Sequence, residues 1–373
     1  MTAPRILLPF SDDSTLFFAC RMAELLRVAQ ADAVLGWMTD GSALSHRQMT
    51  QSLPDGPDLL IRNTAFRDPA LLVEYDAIVV SRIFAPLRDM MRGLHHRASA
   101  HRPAVVAFQG GLDFTPERGF KHRLDADIVY VVPRKDVARY DAFAAPRCAG
   151  WQVARFGHPF FMRGTATPPR AEGDIYFFAQ ALSPATPESR MFIVRMLAEL
   201  ARRSPERDVL IKLRHLPEEN RAHLHKEKHP YPALLEALGS GRPANLKLTA
   251  CSMDAALEAA GRGITCTSTA AIDLIREGVP TQVFLDYPQN YLDPLVTPMR
   301  ALFEGSGVIT DLAGVMEAQI GALQEPWLEQ MFCGPDLAHD VIASIGQFRE
   351  RPGAVARCLP EVDARPALSS FLP

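Results

Sequence analysis

Short apolar runs alternate with longer amphipathic segments along the first half of the sequence. Strand-like runs occupy Ile6–Pro9, Ala33–Trp37, Asp76–Ser81 and Ala104–Phe108. After the first of them, the segment Thr15–Gln30 carries apolar residues at the spacing of one helix face. Strands separated by helices pair in parallel, because each crossover returns the chain to the same edge of the sheet. The alternation therefore predicts a doubly wound α/β sheet.

The alternation is interrupted once and then begins again. Glycine, proline and threonine dominate Gly157–Gly173, a composition that is typical of an interdomain linker. Apolar strand-like runs resume after it, at Ile175–Phe178, Asp208–Leu213 and Asn245–Leu248. The sequence therefore predicts two α/β domains of similar size. Since ligands bind at the carboxyl ends of parallel strands, we expect a ligand cleft between the two domains.

The same pattern places the domain boundaries. We expect the first domain to span residues 1–160 and the second to span residues 174–334. Residues 335–373 are expected to form a C-terminal helix and tail that pack back on the first domain. Further helices are predicted in the last quarter of the chain, at Pro298–Phe303, Asp311–Leu323 and Pro335–Arg349.

The composition argues against several classes of protein. With 373 residues, of which 47% are hydrophobic and 22% charged, the chain has the profile of a soluble two-domain protein. Its formal charge of −3 argues against nucleic acid as a partner. The 6 cysteines include no CxxC pair, which argues against a zinc site or a disulfide framework. We expect a cytoplasmic protein without a membrane span, and a peripheral contact with the inner membrane through a local basic patch stays open.

The stretch Gly263–Phe284 contains the most informative turn of the chain. Its pattern predicts a short strand, a hydroxyl-rich turn and a helix that begins near Ala270 and stops at Gly278. Hydroxyl groups at such a turn either cap the helix or, beside its unpaired N–H groups, bind an anion such as a phosphate. Both interpretations stand at this point. The turn consists of Thr267, Ser268 and Thr269.

Cationic side chains follow the run Asp208–Leu213, at the end where a parallel sheet presents groups to a ligand. Charge-assisted hydrogen bonds from these groups would hold a phosphate. The alternative is a solvated basic segment, and no set of carboxylates accompanies its histidines, so we expect no metal. The candidates for binding a nucleotide are Lys212, Arg214 and His215, and His223 follows on the next segment.

Carboxylates follow two of the strands of the first domain. A carboxylate that faces a phosphate pocket is placed to act as general base for a hydroxyl group. The alternatives are that Asp12 and Asp13 cap the first helix and that Asp113 stabilises its own loop. Two glycines let the backbone of that loop bend and leave room for a ligand. The catalytic candidates are Asp113, Asp13 and Asp12, and the acceptor-binding candidates are Gly110, Gly111 and Arg118.

Three stretches of the chain together carry a family resemblance: FFAQALSPATPESR, VLIKLRHLPEENRAHLHKEKHPYPALL and PANLKLTACSMDAALEAAGRGITCTSTAAIDLIREGVP. They resemble a family of bacterial glycosyltransferases. The resemblance runs from about Arg5 to Ile309 and implies the GT-B fold: two facing Rossmann-like domains with an interdomain cleft, the acceptor in the first and the nucleotide in the second. The chain is also similar to the sialyl- and Kdo-transferases of this fold, whose donors are CMP-sugars. Their serine/threonine motif matches Thr267–Thr269, whereas their His-Pro motif is matched less well, because Leu216 follows His215. The resemblance leaves open whether His215, Arg214 or His223 fills the role of that motif. It also implies that Gln180, in the first loop of the second domain, reaches the nucleotide.

The resemblance implies a reaction as well as a fold. The base of such enzymes lies in a glycine-containing loop, and Asp113 in QGGLD is the nearest match. It would take the proton of an acceptor hydroxyl, which attacks the anomeric carbon in one inverting displacement without a metal or other cofactor. The acceptor would be a glycan or glycolipid of bacterial surface polysaccharide or capsule synthesis. Three alternatives stay open: a UDP-sugar 2-epimerase, a polyol-phosphate transferase and a non-catalytic nucleotide-sugar-binding subunit.

Overall fold

The computed structural model describes most of the chain. The described residues are 3–40, 42, 44, 49–50, 52–62, 64, 73–83, 85–94, 101–110, 116–148, 152–164, 172–214 and 227–351.

The chain forms two compact units. Unit 1 consists of Met1–Met162 together with Glu329–Pro373, and unit 2 of Arg163–Leu328. The division differs from the predicted end of the second domain at 334, because the segment from 329 belongs with unit 1. One reason is that Cys333 N donates a 2.8 Å hydrogen bond to Phe161 O, which ties this segment to the end of the first half.

Each unit contains one parallel β-sheet. The strand order is β3-β2-β1-β4-β5-β6-β7 in unit 1 and β10-β9-β8-β11-β12-β13 in unit 2. These two parallel α/β sheets confirm the predicted fold class of two Rossmann-like domains. The strands are β1 Arg5–Phe10, β2 Asp32–Met38, β3 Leu59–Ile61, β4 Ala77–Val80, β5 Ala104–Phe108, β6 Ile128–Val131, β7 Val153–Phe156, β8 Asp174–Phe178, β9 Val209–Lys212, β10 Leu246–Thr249, β11 Ala260–Thr265, β12 Thr281–Phe284 and β13 Ile309–Thr310.

Helices connect most of the strands. Among those described, none combines the length and the apolar character that a bilayer crossing requires. The α-helices are α1 Asp13–Val28, α2 Ala85–Leu94, α3 Pro116–Lys121, α4 Lys135–Cys148, α5 Pro187–Arg203, α6 Tyr231–Glu236, α7 Met253–Ala259, α8 Ala270–Arg276, α9 Val296–Phe303, α10 Leu312–Met316, α11 Glu325–Met331 and α12 Leu337–Arg349.

The core of unit 1 is built from both ends of the chain. Strand β1 is buried along Ile6–Phe10, and α1 buries Leu16 and Met22 against it. Helix α12, more than 300 residues later in the chain, joins the same core through Val341 and Ile345. Burial of such side chains contributes about 1.5–3 kcal/mol each, so the C-terminal helix is an integral part of unit 1.

One predicted helix, Asp311–Leu323, is much shorter than expected, because α10 ends at Met316. Just beyond that end, Ala318 adopts a left-handed backbone conformation with φ 53°. The buried side chain of Gln282, on β12, donates to Gly314 O at 2.8 Å and to Gln319 O at 3.0 Å. A side chain from the neighbouring strand therefore takes carbonyl oxygens that a longer helix would bond internally.

Candidate functional site

The carboxyl ends of β8, β9 and β11 bring candidate residues of unit 2 together. In this sheet the order of the strands reverses between β8 and β11, and open α/β sheets bind ligands outside the carboxyl ends at such a point. Lys212 pairs with Phe178, and Phe178 pairs with Thr265. Paired residues of parallel strands project to the same face, so Lys212 and Thr265 share one face, two strand spacings or about 10 Å apart.

Lys212 is a half-buried ammonium group at this edge. Burial lowers its pKa below the usual range. Its Nζ donates only a long hydrogen bond of 3.5 Å to Leu213 O, and no ion pair of Lys212 occurs among the described residues. A partly desolvated cation without a counter-ion is unfavourable, so an anionic ligand would supply the missing charge. The predicted partner Arg214 is exposed two residues farther along the chain.

The turn between β11 and α8 has the predicted form, and its three hydroxyl groups differ. Ser268 Oγ accepts a hydrogen bond from Ala270 N at 3.2 Å, so it caps the helix start, yet a hydroxyl keeps a proton to donate. Thr269 is exposed and makes no side-chain cap bond. Thr267 is 3% exposed, and its Oγ1 has no hydrogen-bond partner among the described residues. Such an unsatisfied buried hydroxyl costs about 1–3 kcal/mol.

Gln180 organises the loop that follows β8. Its side-chain Oε1 accepts hydrogen bonds from Leu182 N and from Ser183 N at 3.0 Å. The side-chain oxygen is therefore engaged within the loop itself. The predicted contact between Gln180 and a nucleotide stays a prediction.

Arg190, in the first turn of α5, donates hydrogen bonds to the loop that follows β8. Only 1% of this residue is exposed, and its guanidinium forms an ion pair with Glu227 and lies 5.1 Å from the centre of the Tyr231 ring. Buried guanidinium groups are tolerated when all their N–H groups are bonded. The accepting carbonyl oxygens are those of Gln180, Ala181, Ser183, Pro184 and His229.

A buried carboxylate connects the loops that follow β8 and β12. Asp293 is 4% exposed, and its Oδ2 accepts from Ser183 Oγ at 2.6 Å and from Tyr287 Oη at 2.7 Å. Its Oδ1 accepts from Leu295 N at 3.0 Å. Since β11 lies between β8 and β12 in the sheet, these bonds fix the two loops that flank the Thr267 turn.

Asp12 lies at the corresponding point of unit 1, where the strand order reverses between β1 and β4. It is the N-cap of α1, and its Oδ1 accepts from Thr15 N at 3.0 Å and from Ser14 Oγ at 2.9 Å. Its Oδ2 forms an ion pair with Arg82, which follows β4. Both oxygens of Asp12 are therefore engaged, which favours the capping interpretation for this residue.

Asp13 differs from Asp12 in having fewer partners. It is the first residue of α1, and its Oδ1 accepts a 2.8 Å hydrogen bond from the neighbouring Ser14 N. Gly110, after β5, has an exposed Cα, and a Cβ there would lie 3.4 Å from Ser81 O. Arg118 is exposed on α3. The roles assigned to Asp13, Gly110 and Arg118 stay predictions.

His158 is a buried imidazole with no part in the helix cap at Asp12 or in the candidate phosphate site of unit 2. Its Nε2 donates to Gln109 O at 2.9 Å, and its Nδ1 accepts from Phe160 N at 3.2 Å, which assigns the proton to Nε2. Burial lowers its pKa to about 3. The ring packs among aromatic side chains, including Phe18 and Phe161, so His158 is a neutral core residue.

Several predicted residues lie outside the described part of the chain: Gly111, Asp113, His215 and His223. Their assigned roles stay predictions. Over the described ranges, no group of three or more His, Cys, Asp or Glu side chains is arranged to hold a metal ion.

Sequence reasoning missed three polar residues that shape these sites: Arg82, Arg190 and Asp293. A signal for Arg190 was present, because Arg190, Ile193, Val194 and Leu197 have the spacing of one buried helix face. A charged residue at a core position of an amphipathic helix indicates a buried polar network.

Two comparisons with known proteins bear on this arrangement. Residues 10–348 match the family described as "Putative glycosyltransferase (DUF6716)". No curated protein matches the sequence significantly.

Solved structures resemble the chain over more than nine tenths of its length. The UDP-GlcNAc 2-epimerase of Methanocaldococcus jannaschii is 10% identical with a TM-score of 0.57, and the match covers 91% of this chain and 99% of that chain. The UDP-GlcNAc 2-epimerase of Neisseria meningitidis bound to UDP-GlcNAc is 9% identical with a TM-score of 0.56, covering 92% and 100%. At such low identity the likeness concerns the fold alone.

Proposed function

Because the chain belongs to that glycosyltransferase family, and is thus a glycosyltransferase of the GT-B type, we propose that it transfers a sugar from a CMP-sugar to a glycan or glycolipid acceptor. The transferred sugar is Kdo or sialic-acid-like, and the reaction serves bacterial surface polysaccharide synthesis. The nucleotide binds at the carboxyl edge of the unit 2 sheet. The acceptor binds at the carboxyl edge of the unit 1 sheet.

The observation that carries the proposal is the half-buried Lys212 ammonium, which has no ion pair with any described residue and lies one strand from the strand-order reversal of unit 2. The neighbouring turn adds hydroxyl groups of Thr267 and Ser268 on the next strand but one. A nucleoside monophosphate leaves with increasing negative charge. Fixed cations and hydroxyl groups that are already oriented stabilise such a leaving group and lower the barrier to transfer.

The proposed reaction is a single displacement with inversion. A carboxylate removes the proton of the acceptor hydroxyl while its oxygen attacks the anomeric carbon, and the bond from that carbon to the phosphate oxygen breaks. Lys212, Arg214, His215 and the turn at Thr267 hold the departing CMP. No metal or other cofactor takes part in this scheme.

The base is Asp113, with Asp13 as the second candidate. Asp113 rests on the resemblance of the QGGLD loop to its counterpart in related transferases. Asp13 rests on its position after β1, with one hydrogen bond to the neighbouring backbone. Asp12 is the weakest of the three, since its oxygens are taken by the helix cap and by Arg82.

A UDP-sugar 2-epimerase is the second candidate function. It is favoured by the fold likeness, over more than nine tenths of this chain, to two UDP-GlcNAc 2-epimerases, one of which is bound to UDP-GlcNAc. The two candidates differ in nucleotide and in product. The transferase releases free CMP, whereas the epimerase converts one UDP-sugar into another.

A thermal-shift panel of CMP, CDP, UDP and GDP separates the candidates. A nucleotide at about 100 times its Kd stabilises the protein by about 2.7 kcal/mol, and we expect CMP to do so at the lowest concentration. Lys212→Met should weaken CMP binding at least tenfold, whereas Lys247→Met, which removes an exposed lysine paired with Asp208, should not.

Donor hydrolysis completes the test. CMP release from CMP-Kdo and CMP-sialic acid is measured for the wild type and for Asp113→Ala and Asp13→Ala. A preference for UDP with epimerised UDP-GlcNAc as the product would favour the second candidate. Binding of none of the four nucleotides would overturn both.

A further inference from the structure

A groove of about 460 Å³ lies in unit 1 beside β7, the edge strand of the sheet. It runs between the first turns of α4 and α12. Its volume falls within the range of small-ligand sites, about 300–1,000 Å³. The polar residues that line it are Arg134, Arg155, Asp336 and Asp340, and its apolar side includes Phe156 and Leu337.

Arg134 and Phe156 form one wall of this groove. The guanidinium carbon of Arg134 lies over the Phe156 ring, 4.1 Å from its centre, so a cation–π contact holds the group against the aromatic face. Its Nε donates to Glu329 O at 3.2 Å. No ion pair of Arg134 occurs in the described part of the chain, so its terminal N–H groups are suited to a ligand.

Two carboxylates at the start of α12 form another wall of the groove. Asp340 Oδ2 accepts from Tyr130 Oη at 2.7 Å, while its Oδ1 lies 3.5 Å from Arg155 Nη1, longer than a charge-assisted hydrogen bond of about 2.7–2.9 Å. Asp336 is exposed at the N-cap of α12, and its side chain makes no cap hydrogen bond. The wall therefore offers carboxylate oxygens as acceptors.

The chemistry of the lining fits a polyhydroxylated ligand. Two guanidinium groups balance two carboxylates, so the groove has no excess positive charge to select a phosphate. Guanidinium groups only donate and carboxylates only accept, whereas a sugar hydroxyl does both. A guanidinium and a carboxylate each present a pair of polar atoms to two adjacent hydroxyls of a sugar. The apolar side chains can contact the carbon face of the sugar ring.

The position of the groove relates it to the acceptor site. Phe156 is the last residue of β7, and Arg134 follows β6 closely, so the groove lies toward the carboxyl edge that also carries Asp13 after β1. From β1 to β7 there are four strand spacings, about 19 Å along the sheet. We infer that the groove is a distal acceptor subsite that binds an oligosaccharide several sugar residues from the reacting end. This inference rests on the proposed function, because it extends the acceptor assigned to unit 1.

The test is an array of mono- to octasaccharides from bacterial surface polysaccharides. The full-length wild type is compared with Arg134→Ala, Asp336→Ala and the control Arg21→Ala, which removes an exposed arginine on α1. We expect the wild type to bind oligosaccharides and not monosaccharides, and each groove substitution to weaken binding about tenfold or more. The control should bind as the wild type does.

Stabilisation by CMP is measured on the same samples. Unchanged CMP stabilisation with weakened glycan binding is the expected result and separates the groove from the nucleotide site. Glycan binding that both substitutions leave intact, or no oligosaccharide binding by a protein that binds CMP, would overturn the distal subsite and leave the proposed function standing. If Arg134→Ala does not fold, Asp336→Ala still carries the comparison, since its carboxylate is exposed and makes no cap bond.

Discussion

Ser183 Oγ donates a 2.6 Å hydrogen bond to Asp293 Oδ2, although 110 residues separate the two in the chain. Tyr287 Oη donates to the same oxygen. The carboxylate thus joins the loop after β8 to the loop after β12. These loops stand on either side of the turn that contains Thr267, so one buried acid positions the surroundings of the proposed phosphate site.

We expect Asp293→Ala to destabilise unit 2. The substitution removes the acceptor that the buried Ser183 and Tyr287 hydroxyls share and leaves them a long contact of 3.4 Å with each other, so the free energy of unfolding should fall by about 3 kcal/mol. Urea denaturation measures the loss, and hydrogen exchange of β11 and β12 shows whether it is local to unit 2. Asp293→Asn retains one acceptor oxygen and should lose about 1 kcal/mol. Equal losses for the two variants would contradict the assigned role.

Arg190→Met is expected to have a larger effect. Removing a buried guanidinium breaks the ion pair with Glu227 and takes the donor away from several carbonyl oxygens, and breaking a buried ion pair typically costs about 3–5 kcal/mol. The matched control is Arg195→Met on the same helix, where the side chain is exposed and the expected change is within about 0.5 kcal/mol. Similar melting temperatures for both variants would show that Arg190 does not hold the loop.

Acid should destabilise unit 1 through His158. The folded protein keeps the imidazole neutral with a pKa of about 3, whereas the unfolded chain protonates it near 6.5. The contribution of the neutral His158 imidazole to the free energy of unfolding is therefore complete above pH 6.5. It is lost as the pH falls toward 3, at about 1.4 kcal/mol per pH unit. His158→Gln should unfold at a lower temperature at pH 7 but lose less stability on acidification.

Melting curves from pH 7 to pH 4 measure this difference. His339→Gln, an exposed histidine of α12, is the control and should follow the wild type at each pH. Parallel pH profiles for the wild type and His158→Gln would refute a neutral buried imidazole.

Substitution of the two adjacent carboxylates at the start of α1 should lower the free energy of unfolding by unequal amounts. Asp12→Ala removes the N-cap and should lower the free energy of unfolding by about 1–2 kcal/mol. Asp13→Ala removes a favourable charge in the first turn and one hydrogen bond from the neighbouring Ser14 N, together about 0.3–1 kcal/mol. Thermal denaturation of the two variants measures the difference. A greater loss for Asp13→Ala would contradict the capping geometry.

Features that depend only on residues close together in the chain were predictable from the sequence. The alternation of apolar runs and helix-forming segments predicted both parallel sheets, because hydrophobic periodicity is a local property. The cap of α1 was predictable because Asp12 and Thr15 are three residues apart. The hydroxyl turn before α8 was predictable for the same reason. In contrast, the expected helix Asp311–Leu323 was too long, since Gln282 of a neighbouring strand takes its carbonyl oxygens.

The sequence by itself therefore determined the two Rossmann-like sheets, the hydroxyl turn and the residues available at the strand ends. The tertiary structure decided which of them meet. It pairs Asp12 with Arg82 across 70 residues, and it bonds Ser183 to Asp293 across 110 residues. Such contacts depend on the register and order of strands that are distant in the chain, which no local pattern of residues encodes.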